Sequence, residues 1–208
     1  MGFYKDFIRQ TKKPEGRLGK MMVSSMNTGH AKMASWGTGH LDINELKHMI
    51  DLGCGGGKNA QDLMLKYPQA NMCAIDYSSV SVEASIKCNE KAIEEGRCKV
   101  LQADVSKLPL KDETYDLATA FETIYFWPGP LQSFQEVYRI LKNNAYFMIV
   151  NECDGTNEKD QKWVKIIDGM VIYSKEEVID YLKQAGFEQV QVYHNDEKHW
   201  ICFIAHKK

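Results

Sequence analysis

The stretch Met49-Ile50-Asp51-Leu52-Gly53-Cys54-Gly55-Gly56-Gly57-Lys58-Asn59-Ala60 decides the fold. It passes from an apolar run holding one acid, through a glycine cluster, into a segment where Ala60, Leu63, Met64 and Tyr67 recur at i, i+3, i+4 and i+7. That recurrence gives a helix one buried face, so the stretch reads as strand, loop, helix. Glycines at such a junction can take positive φ and, lacking a Cβ, let a ligand approach the backbone. The unpaired amides of the helix's first turn offer hydrogen bonds to an anion or carboxylate. The spacing Gly53-x-Gly55-x-Gly57 puts Lys58 where the dinucleotide fingerprint G-x-G-x-x-G has its third glycine. Taken alone, the loop also reads as a tight strand-to-helix turn with no ligand.

From Ile50 onward strand-like and helix-like patterns alternate, which argues for a parallel sheet covered on both faces. The second strand runs from Asn71 to Asp76, and the helix after it carries Val80, Ala84, Cys88 and Ala92 on one stripe. The third strand, Lys99 to Ala103, ends at Asp104, and the fourth, Tyr115 to Ala120, opens into Phe121-Glu122. Pro130 starts a helix with Leu131, Phe134, Val137, Tyr138 and Leu141 on its apolar face. A fifth strand, Tyr146 to Val150, precedes a polar stretch and then Trp163, Ile166, Ile167, Met170 and Tyr173, a candidate pocket wall. Ser174-Lys175-Glu176-Glu177 is a capping box that opens a helix ending near Gly186. Val190 to Tyr193 and Trp200 to Ile204, joined by a polar turn, read as an antiparallel hairpin.

With 208 residues, the chain suits one α/β domain with a substantial core. Lys+Arg 26 against Asp+Glu 28 gives a net charge of -2, with no broad basic field to attract nucleic acid. No run of 18 apolar residues and no charged-then-apolar leader occurs, so the expectation is a cytoplasmic chain without a membrane partner. The oligomeric state is not legible. Cysteines at 54, 73, 88, 98, 153 and 202 form no C-x-x-C pair and read as reduced, buried thiols. No His/Cys/Asp spacing points to a metal. Ahead of the first strand, Phe3, Phe7 and Ile8 suggest a short helix, Lys12-Lys13-Pro14-Glu15-Gly16 a break, and Leu18, Met21, Met22, Met26 and Met33 a second helical piece. Its adaptable thioethers suit either docking on the core or closing over a pocket.

Asp51-Leu52-Gly53-Cys54-Gly55-Gly56-Gly57 resembles the signature loop of class I S-adenosylmethionine-dependent methyltransferases, and the resemblance extends over roughly residues 45 to 206. It implies a doubly wound, mostly parallel, seven-stranded Rossmann-like α/β sheet with an antiparallel C-terminal hairpin. Residues 1–45 would form an N-terminal helical arm or lid, and residues 46–208 the S-adenosylmethionine-binding domain. S-adenosyl-L-methionine is the implied cofactor, S-adenosyl-L-homocysteine its product, and a small, partly apolar metabolite the acceptor. Ligands in open parallel sheets sit beyond the carboxyl ends of the strands, so residues just after each strand should converge. By resemblance, Gly53, Cys54, Gly55 and Gly57 form the cradle, and Asp51 orients the loop and the methionine amino group. Asp76, with Tyr77 beside it, would accept the ribose hydroxyls. Asp104 would take the adenine amino group, Val105 pack its ring, and Phe121 give a backbone contact. Cys54 is read as filler between glycines rather than a nucleophile.

Glu122 is the nominated proton acceptor. His30 and His40 flank Trp36; both read as structural or as a catalytic base, and His40 is carried as the second catalytic candidate. Trp36, Tyr125, Trp127 and Trp163 are candidate substrate-pocket walls. Lys142-Asn143-Asn144-Ala145 departs from the family's Lys-Pro-Gly-Gly turn, with Asn able to replace glycine at positive φ. The Asn/Asp-Pro-Pro-Tyr/Phe motif of nucleic-acid amino methylases is missing after the fourth strand, which further disfavours such substrates. An NAD-dependent Rossmann oxidoreductase and a non-catalytic cofactor-binding module are the alternatives.

Overall fold

The computed structural model describes residues 7, 8 and 10–208. The sheet holds seven strands in the order β3-β2-β1-β4-β5-β7-β6. These are β1 (His48–Leu52), β2 (Asn71–Asp76), β3 (Cys98–Gln102), β4 (Tyr115–Phe121), β5 (Leu141–Asn151), β6 (Gln189–Asn195) and β7 (Trp200–His206). Strands β1 to β5 are parallel, whereas β7 runs antiparallel between β5 and β6. The doubly wound sheet with its C-terminal hairpin is therefore present as expected. Strand order reverses beside β1, which is flanked by β2 and β4.

The period-2 alternation of strand side chains divides the core into two layers. Ile50, Leu52, Ala118, Ala120, Phe147 and Ile149 face one layer, where α6 (Pro130–Ile140) contributes Phe134 and Val137 and α8 (Lys175–Ala185) contributes Val178 and Leu182. Met49, Leu117, Met148 and Val150 face the other, closed by Met33 of α2 (Ala31–Thr38) and Leu63 and Met64 of α3 (Lys58–Lys66). The Ser174–Glu177 capping box is present, and Gly186 ends α8 at φ 113. The Lys142–Ala145 stretch, expected as a turn, is part of β5, where the register shifts between the Tyr115–Leu141 and Leu117–Tyr146 pairs and Asn144 takes φ 62.

Two local readings are corrected. The helix after β2 is broken at Asn89 into α4 (Ser79–Cys88) and α5 (Glu90–Glu94), and α4 buries Ser81 and Ser85 rather than Val80, Ala84 and Cys88. The cause is contact with the glycine loop: a Cβ on Gly57 would stand 2.5 Å from Ser85 Oγ and from Asn89 Nδ2, so small polar residues must face it. The second correction is Leu141, which opens β5 opposite Tyr115 instead of closing α6. Asp116 anchors that edge by accepting from the backbone N–H of Lys47 and His48 and from Lys142 Nζ.

The arm is two helices, α1 (Gly16–Gly29) and α2, joined at His30. Phe7 and Ile8 are helical, while Phe3 lies outside the described residues. Met33 is fully buried, and a Cβ on Gly37 would stand 2.5 Å from Val150 Cγ2, so α2 lies directly on β5 as part of the core. No described helix is long and apolar enough to cross a membrane.

Candidate active site

Gly53, Gly55 and Gly57 take positive φ of 76, 51 and 80°, the left-handed region where side chains are strained. The loop is tied down by its own amides: Gly53 and Cys54 N–H both donate to the Ile75 carbonyl at 2.8 Å, and Gly55 N–H donates to Asp76 Oδ2 at 3.0 Å. Packing surrounds most of it. A Cβ on Gly53 would stand 2.1 Å from Thr123 Oγ1, and one on Gly56 would stand 2.2 Å from Asn27 Nδ2 of α1. At Gly55 nothing lies within 4 Å, and this open face borders a cavity of about 620 Å³. That volume is in the range of small-ligand sites, roughly 300 to 1,000 Å³.

The carboxyl ends of four strands converge on the cavity. Gly53, Cys54 and Gly55 follow β1, Asp76 closes β2 with Tyr77 next to it, Asp104 and Val105 follow β3, and Phe121 closes β4 with Glu122 next to it. Tyr125, Trp127 and Trp163 of α7 (Gln161–Ile166) complete the wall with Ile167 and Met170. Trp127 presents only an edge, because its ring stacks on Phe147 at 6.1 Å and its Nε1–H donates to Thr123 Oγ1. These twelve candidates are brought together.

Four others are not. Gly57 turns toward Ser85 and Asn89, away from the cavity. Asp51 lies beneath the loop, 1% exposed, with Oδ1 accepting from Thr119 Oγ1 at 2.7 Å. Trp36 packs on Trp200, ring centres 5.9 Å apart, on the opposite sheet layer. His40 stacks on Tyr193 at 4.0 Å and borders a separate, smaller groove, so neither Trp36 nor His40 reaches the cavity.

His30 does. Located at the α1–α2 junction, it lines the cavity beside Glu122 and Glu152, and its Nδ1 is 3.3 Å from Glu152 Oε1. Glu152 directly follows β5, so the strand-end rule would have found it; the helix break that delivers His30 leaves no periodic signal. The arm contributes more of the roof. Met22, Met26 and Asn27 of α1 line the cavity, Tyr77 O–H donates to the Lys12 carbonyl, and Ser78 O–H donates to the Pro14 carbonyl at 2.7 Å.

Burial dominates the electrostatics. Glu122 is pushed up to about 7 by burial and by the nearby Glu152 carboxylate, against the opposing influence of His30 and of hydrogen bonds from Glu152 N–H and Tyr125 O–H. It sits at φ 58, a conformation costing on the order of 1 kcal/mol in a non-glycine residue. Burial also raises Asp51, to about 7, and Asp76, although the Ser78 and Gly55 amides partly offset the latter. All six cysteines are free, and burial lifts the Cys54 thiol far above its ordinary range, which removes it as a nucleophile.

S-adenosylmethionine, the cofactor implied by resemblance, fits these atoms. Gly55 leaves room for close approach, Asp51 Oδ2 is buried without a partner, and Asp104 commits Oδ1 to Ser106 while its Oδ2 has no protein hydrogen bond among the described residues. Comparison with known proteins agrees. Residues 50–149 match the methyltransferase domain family. The chain is 25% identical over 151 residues to cycloartenol-C-24-methyltransferase 1 of Oryza sativa, covering 68% of this chain and 44% of that protein. It is 30% identical over 146 residues to a sterol 4-C-methyltransferase of Caenorhabditis elegans, covering 69% and 41%. It thus spans less than half the length of these relatives. A SAM-dependent methyltransferase structure from Aquifex aeolicus superposes with a TM-score of 0.75 at 20% identity, covering 91% of this chain and 98% of that one. An antiparallel β7 between β5 and β6 separates this sheet from that of the dehydrogenases, and residues 50–149, just under half of the chain, match the methyltransferase domain family, so that in fold and in this segment the chain is similar to the S-adenosylmethionine-dependent methyltransferases.

Proposed function

We propose that the protein transfers a methyl group from S-adenosylmethionine to a small, partly apolar metabolite. The observation that carries this reading is the single cavity, in which the open Gly55 face and Asp76 share a wall with Tyr125, Trp163, Met170 and Glu122. The relatives named for sterols and for a phytyl hydroquinone also act on largely apolar molecules.

When bound, the cofactor supplies an electrophilic methyl on a sulfonium. The chain's own part is alignment, which in well-oriented reactions is worth up to roughly 7 to 11 kcal/mol. Asp76 holds the ribose hydroxyls, with Tyr77 beside it, Asp104 and Val105 bind the adenine, and Phe121 contributes backbone. Asp51 lies below the loop, held by Thr119, while the Ile75 carbonyl and Asp76 fix the loop itself. Glu122, held by Tyr125 O–H at 3.0 Å, faces the acceptor and takes its proton. Helix α1 roofs the cavity and serves as the lid that excludes water. The net charge of -2 supports a small-molecule partner rather than nucleic acid, and the free cysteines, buried except for the half-buried Cys88, suit the cytoplasm.

The test is transfer of labelled methyl from S-adenosylmethionine to a panel of phenols, sterols and amines, read alongside calorimetric binding of S-adenosylhomocysteine. Binding with turnover of at least one acceptor supports the reading. Binding without turnover across the panel would favour a non-catalytic module.

A further inference from the structure

His30, Glu122 and Glu152 come from three separate elements, the arm and the ends of β4 and β5, yet each places a ligand atom within 4.8 Å of the other two. Their commitments leave a vacancy in bonding. His30 Nδ1 is shielded from solvent and has no hydrogen-bond partner; Glu152 Oε1, 3.3 Å away, is near enough for an ion pair but not placed as an acceptor. Glu122 Oε1 accepts from Tyr125 O–H and Glu152 N–H, two bonds that fix the carboxyl while Oε2 accepts none. Among the described residues, the only ion pair either carboxylate makes is with His30. Two carboxylates and one imidazole, all partly buried, thus converge on one end of a largely apolar cavity, with His30 Nδ1 and Glu122 Oε2 taking part in no hydrogen bond among the described residues, a donor set that a cation would complete.

We propose that His30, Glu122 and Glu152 form a divalent-cation site. One imidazole nitrogen with two carboxylates is a donor set for a first-row ion such as Mn²⁺, Fe²⁺ or Zn²⁺, whereas an all-oxygen set would favour Mg²⁺ or Ca²⁺. Three protein ligands leave positions open, the pattern of catalytic rather than structural metal sites. The open positions face the cavity that holds the proposed cofactor cradle. Resting on the methyltransferase reading, the site narrows the acceptor to a molecule whose reacting atom is a donor, a hydroxyl or phenol oxygen, an amine nitrogen or a thiol sulfur, because such an atom can occupy the open position and an alkene carbon cannot. It also ties the arm to the site, since His30 belongs to the α1–α2 junction.

The probe is Mn²⁺ added to chelator-treated, dialysed full-length protein, with free Mn²⁺ followed by its paramagnetic resonance signal. The expected result is one saturable Mn²⁺ per chain, weakened at least about tenfold by His30→Ala and by Glu152→Gln, each checked for fold by circular dichroism. Glu152 lies on a half-exposed loop, so its variant keeps the test valid if the His30 variant does not fold. His40→Ala, remote from the cavity, should bind as wild type. Failure to bind at millimolar Mn²⁺, or binding unchanged by both site variants, overturns the proposal. Calorimetry with S-adenosylhomocysteine on the same samples separates the two readings: cofactor binding without Mn²⁺ binding sinks the metal site alone, and loss of cofactor binding in the folded wild type sinks the methyltransferase reading.

Discussion

Asp76, the proposed ribose acceptor, is also bonded within the chain: Oδ2 accepts from Gly55 N–H and Oδ1 from Ser78 N–H, so its carboxylate shapes the loop. Removing a charged acceptor costs about 1.5 to 3 kcal/mol per hydrogen bond, which predicts that Asp76→Ala weakens S-adenosylhomocysteine binding at least about tenfold. Titration calorimetry on the folded variant reads this, and wild-type affinity would contradict the assignment. Gly55→Val should fail for another reason, because φ of 51° strains a β-branched residue and its side chain fills the one open face of the loop. At this scale the sequence was only partly informative. Asp76, Asp104 and Glu122 were legible because each ends or follows a strand. His30 and His40 were not distinguishable, since both sit near Trp36 in the same arm and only the chain's path sends one to the cavity and the other onto Tyr193.

Among the elements, the arm divides in two. Helix α2 is welded to β5 through Met33 and Gly37, whereas α1 spans the cavity, with Met22 and Val23 buried but Met21 57% exposed. Hydrogen exchange should find α2 protected with or without ligand and α1 gaining protection when S-adenosylhomocysteine is added. Equal protection of α1 in both states would rule out a lid. The loop after β5 has its own tether. Asp154, with its side chain 1% exposed, accepts from Thr156 and from His194 Nε2 at 2.6 Å in the β6–β7 turn region. Burial would raise this carboxyl, but the Thr156 and histidine hydrogen bonds prevail and hold it down at about 2. A depressed acid stabilises the fold above its unfolded pKa of about 3.9 and loses that contribution as pH falls toward 2. Asp154→Asn should therefore cost about 1 to 3 kcal/mol at pH 7. The gap in Tm from wild type should close between about pH 4 and pH 2. A gap that stays constant over that range would contradict the tether. Strands, the α8 capping box and the hairpin were readable because each has a local signature. The buried face of α4 was not, because Ser81, Ser85 and Asn89 look like a solvated stripe until Gly57 is seen against them.

For the molecule as a whole, the central claim is that the point where strand order reverses, beside β1, holds S-adenosylmethionine. Everything that converges there follows from topology: parallel β1 to β4 deliver their carboxyl ends to one edge, and α1 covers them. Pattern and motif made the sheet legible from residue 50 onward, while the roof of the site comes from the arm, whose helices carry no family motif. The most direct measurement is titration calorimetry of the full-length protein with S-adenosylhomocysteine and, separately, with NAD. The account predicts one S-adenosylhomocysteine bound per chain, weakened at least about tenfold in Asp76→Ala, and no binding of NAD. Absence of S-adenosylhomocysteine binding by the folded wild-type protein, or saturable binding of NAD that Asp76→Ala abolishes, would contradict it.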